Sequence, residues 1–496
     1  MLHQRCLSLC ATSVLALVIA APAVAQQLSA KDVWSQLRQR AGEAGLAVTS
    51  QSVDDFGTSL SVNGLRVFPL NDPRAMVLTM DSLRIEPRGE MVALIPSELV
   101  RLETHSPDDS QRTFDIHAAG EVLGALSDTN AALDLDFPSL TMQLVSATRP
   151  GRPLDEAFSL ALTDFGASLR VAREGSLDLS MGAANTSYEF RYNDTSGLSA
   201  LNQTGSGAIE GLRIEASGTE LDELDDARTV RDAMEAGVTM RLSFSSGPST
   251  GVSHQTMGST EIDIASNAAE SNMAMAFVEG RFEATMSSGA GGFEGGMGPV
   301  RGNATFDGVG LDVVFPMVIT PDDQRARYAF HFDNVTPSPE LLTALGAGQF
   351  AGDSLSLALD VGAAMRLVQE IPIDGSDFAA SEPPFDLSSV NLDTLLLRVG
   401  DSEFTGSGAV MLIGGLMANI GRSMPEAEGD FVFNLVGGER LLTRVQAMGL
   451  IPNDQLFFVR MMMNGLGRPV GDDSLQSDLA IRPGGVITVN GAPLPF

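Results

Sequence analysis

The sequence predicts a mainly β protein: a large curved antiparallel sheet, or a partly closed barrel or sandwich, with one N-terminal helix and two or three helices near the C-terminus. Three observations carry this. Apolar residues alternate with polar or small ones through most of the chain, the period of strands with one dry face. Turn residues such as Asn-Gly, Asp-Gly and Pro punctuate that alternation. Helical spacing is confined to a few short segments.

Composition narrows the function classes. With 44% hydrophobic residues in a chain of 496, a large core can form and intrinsic disorder is disfavoured. The 63 acidic residues outnumber 31 basic ones, for a net charge of −32. Such a surface repels polyanions, which argues against nucleic acid as a partner and against docking on anionic lipid through a polybasic face.

The first element is an export signal. His3 and Arg5 give a short polar start, Leu7 to Ala21 is apolar, and Ala23-Val24-Ala25 supplies small residues for signal peptidase. The apolar run is about 15 residues, shorter than the roughly 20 needed to span a bilayer, so cleavage after Ala25 is expected rather than an anchor. Cys6 and Cys10 both lie in this segment, leaving residues 26–496 without disulfides or thiolate ligands. The predicted location is the bacterial periplasm; abundant arginine beside the single lysine, Lys31, fits a GC-rich genome. Val410 to Ile420, the most apolar later stretch, is interrupted by Gly414 and Gly415 and too short to span a membrane.

Next comes a helix. Ser29 is a suitable cap, Asp32 meets the positive helix end, Val33, Trp34, Leu37, Ala41 and Ala44 recur at helical spacing, and Gly45 is the stop. Strands are then predicted at Leu60–Phe68, Val77–Ile85, Leu133–Phe137, Leu140–Val145, Leu160–Val171 and Leu177–Met181. They continue at Ala208–Ala216, Val238–Phe244, Met273–Met286, Ala304–Val314, Tyr328–Asn334, Leu355–Val361, Leu392–Val399 and Phe431–Val436. Helices are predicted at Thr219–Ala236, Pro339–Gly346, Glu439–Met448 and from Asn453 to Met463. The glycine-dense stretch 287–302 reads as a mobile loop, and the Pro-containing stretch 371–386 as a linker or subdivision.

Chemistry-bearing patterns are sparse. His105 and His117 stand twelve apart, which is no recognised ligand spacing, and His254 and His331 are isolated. The acid pairs Asp54-Asp55, Asp108-Asp109, Asp225-Asp226, Asp322-Asp323 and Asp472-Asp473 lack the alternation of a calcium loop and read as turn and cap residues. Gly406-Ser407-Gly408 lacks the basic residue and helix start of a phosphate loop, and Gly205-Ser206-Gly207, in a turn-rich polar setting, lacks a partner histidine. Met461-Met462-Met463 suits packing of a final helix onto a sheet better than copper binding. No catalytic residue, cofactor-binding residue or metal ligand is assigned, and the ligand-binding residues are unknown.

The C-terminal stretch carries a resemblance. Gly429-Asp430-Phe431 through Leu435, Leu441-Leu442, Met448-Gly449-Leu450-Ile451-Pro452, Gln455, Arg460, Arg468-Pro469, Leu475, Gly484-Gly485, Asn490-Gly491 and Pro493 occur in an order that resembles an exported alphaproteobacterial family grouped as domain of unknown function 2125. The N-terminal helix with Val33-Trp34 and the residues Leu60, Val62, Gly64 and Leu65 agree with it; the likeness is vague between about Gly197 and Gly302. The resemblance implies a periplasmic, β-rich protein without an enzymatic role. The closing strand and helix order is also similar, at the level of fold analogy, to AsmA-like envelope proteins that handle lipids.

Three functions follow. The first is binding or conveying a lipid or other hydrophobic ligand on an aliphatic sheet face in envelope maintenance. The second is an envelope scaffold meeting another envelope protein through sheet edges. The third is a metal-assisted hydrolase using Asp and His.

Overall fold

The structure is a computed structural model that describes residues 29–89, 91–126, 130–150, 152–172, 175–194, 201–297, 300–373, 383–420, 426–449 and 453–494. The expected signal peptide, residues 1–25, lies outside them, as does 374–382 within the expected break. Antiparallel strands dominate, with five α-helices among the described residues. The chain forms two compact units, Met1–Asp222 with Leu242–Asp263, and Glu223–Arg241 with Ile264–Phe496. The stretch 371–386 falls within the second unit.

The first unit opens with helix α1 (Ala30–Glu43). The Ser29 side chain accepts from the Asp32 amide at 3.2 Å and the Asp32 carboxylate accepts from the Ser29 amide at 3.3 Å, so both partners satisfy donors that a helix start leaves open. Strands follow as β1 (Leu46–Thr49), β2 (Ser52–Asp55), β3 (Leu60–Pro69), β4 (Met76–Arg88), β5 (Met91–Pro96), β6 (Leu99–His105), β7 (Gln111–Leu126) and β8 (Asn130–Arg149). After these come β9 (Arg152–Pro153), β10 (Asp155–Ala172), β11 (Leu177–Asp194), β12 (Leu201–Thr219), β13 (Thr239–Ser246), β14 (Ser249–Met257) and β15 (Thr260–Ala268), of which β13 belongs to this unit from Leu242 and β15 as far as Asp263. Both β1 and β2 pair with β3, one beyond the other along it. Likewise β5 and β6 together fill the gap between β4 and β7, closing a small ring of pairings. The order β7-β8-β10-β11-β12-β14 then extends the sheet.

Helix α1 covers the beginning of this sheet. Val33, Trp34, Leu37 and Ala41 pack into one cluster with Leu60, Val62, Leu65, Ile85, Val92 and Leu94. The cluster explains a break in the two-residue rhythm. In β3 the apolar positions are even before Gly64 and odd after it, yet Leu60, Val62, Leu65 and Val67 are all buried. Gly64 sits at φ 60°, a left-handed conformation that returns the following side chains to the same face. The same change of parity occurs at Asp164 (φ 48°) in β10 and at Gly211 (φ 57°) in β12. Pro138 in β8 lies on that row, where the ladder bonds that it cannot donate are already interrupted. Residues Leu133–Phe137 and Leu140–Val145, expected as two strands, are thus one strand.

The second unit contains helix α2 (Val230–Glu235), then β16 (Ser271–Val278), β17 (Arg281–Ser288), β18 (Gly291–Met297), β19 (Val300–Phe306), β20 (Gly308–Pro316) and β21 (Gln324–Pro337). Helix α3 (Pro339–Ala344) precedes β22 (Leu355–Leu367), β23 (Phe385–Val399), β24 (Ser402–Leu412) and β25 (Ala427–Val436). Helices α4 (Gly438–Ala447) and α5 (Asn453–Leu466) lead to β26 (Arg468–Gly471), β27 (Ser474–Arg482), β28 (Val486–Val489) and β29 (Ala492–Pro493). Nine strands pair in the order β16-β17-β20-β21-β22-β23-β24-β25-β27.

Several expectations are corrected in this unit. Met273–Met286 is two strands, because Glu279 (φ 49°) and Gly280 (φ 74°) form a two-residue hairpin turn of the left-handed kind. Ala304–Val314 is also split, at Asp307. Thr219–Ala236 is a short 3-10 turn followed by α2, whose cap is Thr229, paired with Asp232 in a capping box. In the glycine-dense stretch 287–302, expected as a mobile loop, the described residues instead supply β18 and the start of β19, which pair with each other. Side chains occupy the space its glycines leave. A Cβ on Gly302 would stand 2.4 Å from Leu341, and one on Gly291 would stand 2.7 Å from the Phe306 ring.

Candidate functional site

The nine-strand sheet of the second unit is amphipathic in a way that only the strand registers reveal. One row of directly opposed residues runs Met273, Met286, Leu311, Phe330, Leu359, Leu395, Gly406, Phe433. The next row on the same face runs Met275, Ala284, Val313, Tyr328, Val361, Leu392, Gly408, Phe431, Leu479. Phe332, Leu357, Leu397, Phe404, Leu435 and Leu475 continue a third. A bulge between Leu392 and Leu395 keeps β23 in phase with its neighbours.

Except for Gly406, no residue of the first two rows is buried. Met286 and Tyr328 are each 47% exposed. Strands lie about 4.8 Å apart, so eight intervals carry the second row across roughly 38 Å. The two glycines are filled from the neighbouring strand: a Cβ would stand 2.6 Å from the Phe433 ring at Gly406 and 2.5 Å from the Phe431 ring at Gly408. Those rings stack, with centroids 6.2 Å apart. On β21, Tyr328, Phe330 and Phe332 form an edge-to-face ladder, with centroids 5.9 and 6.4 Å apart.

The opposite face is polar and ion-paired. Arg327 donates to Asp312 at 2.6 Å and to both Asp360 oxygens at 3.0 and 2.8 Å. Hydrogen bonding from Arg327 holds the Asp360 carboxyl below the usual carboxylate range, and the same bond pushes the Arg327 guanidinium further up. Arg482 donates to Asp430 at 2.7 Å. Near the start of β21 this face has a hollow of about 340 Å³, lined by Asp323, Arg325, Ala363, Ser389, Asn391 and Asp393 among others.

Helix α5 flanks the apolar rows. Leu456 is buried, and a Cβ on Gly438 would touch both Met463 and Leu435, which places Met463 against the third row. Phe457, Phe458, Met461 and Met462 are 74%, 56%, 52% and 46% exposed. Packing onto the sheet, expected of all three methionines, thus applies to Met463 and not to Met461 or Met462.

The remaining sequence candidates scatter. His105 and His117 occupy β6 and β7, but His105 is opposite Gln111 and His117 is opposite Leu99, so they do not meet. His331 Nε2 lies 3.6 Å from Asp333. Members of the acid pairs serve turns and caps, although Asp54, within β2, instead accepts from Asn63 on β3 at 2.7 Å. Asp55 accepts from the Gly57 amide, and Asp473 accepts from the Glu439 and Arg440 amides at the start of α4. The Ser110 hydroxyl and amide, then Arg149, lower the Asp108 carboxyl to about 2. Gly205-Ser206-Gly207 is not in a turn but within β12, where the Phe190 and Tyr188 rings cover the two glycines.

The first unit contains a convergence that sequence spacing did not expose. His254 on β14 and Glu261 and Asp263 on β15 bring one ligand atom each within 4.8 Å of one another. His254 Nδ1 lies 2.6 Å from Asp263 Oδ1 and 3.9 Å from Glu261 Oε1. The usable signal was symmetry: His254 and Asp263 stand equally far from the Gly258-Ser259 turn.

Compared with known proteins, the chain matches no family model and no curated protein. No helix among the described residues is long and apolar enough to cross a membrane.

Proposed function

We propose that this is a periplasmic protein that binds or conveys lipid, or another hydrophobic ligand of the cell envelope, along the apolar face of its second unit. The single observation that carries the reading is the run of opposed apolar rows across the paired strands, in which no residue of the first two rows except Gly406 is buried. Contiguous exposed apolar surface is costly to leave in water, and such surfaces mark ligand or partner sites. The roughly 38 Å span exceeds one leaflet of a bilayer, about half of its 30 Å hydrocarbon core, so an extended acyl chain fits along it. The export signal and the resemblance to the exported family support the location. No catalytic step belongs to this reading.

The test is native mass spectrometry of the purified protein, followed by rebinding of a graded series of fatty acids to delipidated protein. Each methylene buried adds about 0.8 kcal/mol, so affinity rises roughly fourfold per carbon until the chain outgrows the face. Repeated preparations without lipid, together with no dependence on chain length, would overturn the proposal and favour a protein-binding scaffold.

A further inference from the structure

We infer that the β14–β15 hairpin carries a site for a divalent transition-metal ion of the zinc class, with His254 Nδ1, Asp263 Oδ1 and Glu261 Oε1 as ligands. The donor set is one imidazole nitrogen and two carboxylate oxygens, and zinc is held by histidine and carboxylate donors of this kind. The two carboxylates offset the charge of the ion. The present spacings of 2.6 and 3.9 Å bracket the separation that ligands around a small ion adopt, so side-chain rotation alone completes the set.

The other ring nitrogen supplies the deciding detail. His254 Nε2 lies 3.3 Å from Thr256 Oγ1. When Nδ1 binds a metal, the ring proton resides on Nε2 and is donated to the Thr256 hydroxyl, which fixes both the tautomer and the ring plane. Without metal, Nδ1 carries the proton towards Asp263 and Nε2 accepts from the same hydroxyl. Thr256 thus serves either state, and metal binding moves the single ring proton from Nδ1 to Nε2 without net release. His331 offers a comparison within the chain: it has one nearby carboxylate, Asp333 at 3.6 Å, and belongs to no three-ligand group among the described residues.

The experiment is zinc titration of the chelator-treated full chain by calorimetry, with cobalt as a spectroscopic probe of nitrogen and oxygen ligation. Wild type is expected to bind one ion per chain. His254→Ala abolishes that binding, Glu261→Gln and Thr256→Val each weaken it by roughly 10- to 100-fold, and His331→Ala leaves it unchanged. Circular dichroism of each variant separates loss of ligation from loss of fold, because all four side chains are at least partly exposed. Absence of stoichiometric binding, or binding that survives in a folded His254→Ala protein, overturns the inference. Neither outcome bears on the lipid proposal, which concerns the other unit.

Discussion

Two stretches of the molecule share the same strand grammar and end with opposite surfaces. Around β3 to β5, α1 lays Val33, Leu37 and Ala41 over the apolar side of the sheet, and Val62, Leu65 and Ile85 are 0% exposed. Across β16 to β27 the apolar rows are longer and richer in aromatic rings, yet Tyr328, Phe332 and Leu397 remain 47%, 40% and 40% exposed. Alternation alone specifies a face; a covering layer specifies a core. The comparison thus sets a covered core in the first region against an exposed apolar face, the proposed ligand surface, in the second, and substitutions can break that contrast.

The largest effect is expected in the covered region. Leu65→Ala leaves a cavity beneath α1 and should cost about 2–5 kcal/mol, read as a shift of the denaturant midpoint. The equivalent truncation of Leu359 or Leu395, already in contact with solvent, should cost no more than about 1 kcal/mol. Equal losses at the two places would mean that the apolar rows are as tightly covered as the α1 core. A polar replacement on the open face separates stability from function. Leu395→Gln should leave the unfolding midpoint close to wild type while weakening binding of a long-chain fatty acid by roughly tenfold, which is about 1.4 kcal/mol. Unchanged affinity would move the site off this face.

Local chemistry explains which features were readable from the amino acids. Helix α1 was legible because its signals are contiguous: a Ser cap, an Asp three residues on, a helical stripe and Gly45. Strand existence was equally plain, but strand ends were not. The chain reverses at Glu279-Gly280 without Pro or Asn, so one apolar run concealed two strands. At Pro138 the opposite occurred, because a parity switch within one long strand looks like a turn. The glycines of 291–302 were misleading in isolation, since the side chains that replace their missing mass belong to Phe306 and to Leu341 on another element. The open face was out of reach for a related reason: rows assemble through register, and register across nine strands depends on bulges such as that at Leu392–Leu395. The His254, Glu261 and Asp263 cluster needs only one hairpin, but residues seven and nine apart match no helical ligand spacing.

Capping offers a smaller test of the covered region. Ser29→Ala removes the acceptor of the Asp32 amide and should lower stability by about 1 kcal/mol, with the loss confined to the first unit if the units melt separately. Hydrogen exchange of the α1 amides reads it directly, because fraying of the first turn precedes loss of the Leu37 and Ala41 contacts.

The smallest effect concerns the polar side of the open sheet. Asp360 is ionised below its ordinary range because Arg327 holds the carboxylate with two hydrogen bonds. A carboxyl whose folded value is depressed stabilises the protein above its unfolded value, about 3.9, and loses that contribution as pH falls through the folded value. Asp360→Asn should therefore destabilise by no more than about 1 kcal/mol at neutral pH, as for other solvent-accessible pairs, and the difference from wild type should shrink below pH ~4. Salt should shrink it as well, since the pair is partly exposed. The face proposed to bind acyl chains lies on the other side of the same strands, so fatty-acid affinity should not change with this substitution. A variant that lost ligand as well as the ion pair would show that the two faces are coupled through the strand register, and that the polar side helps to hold the apolar rows in line.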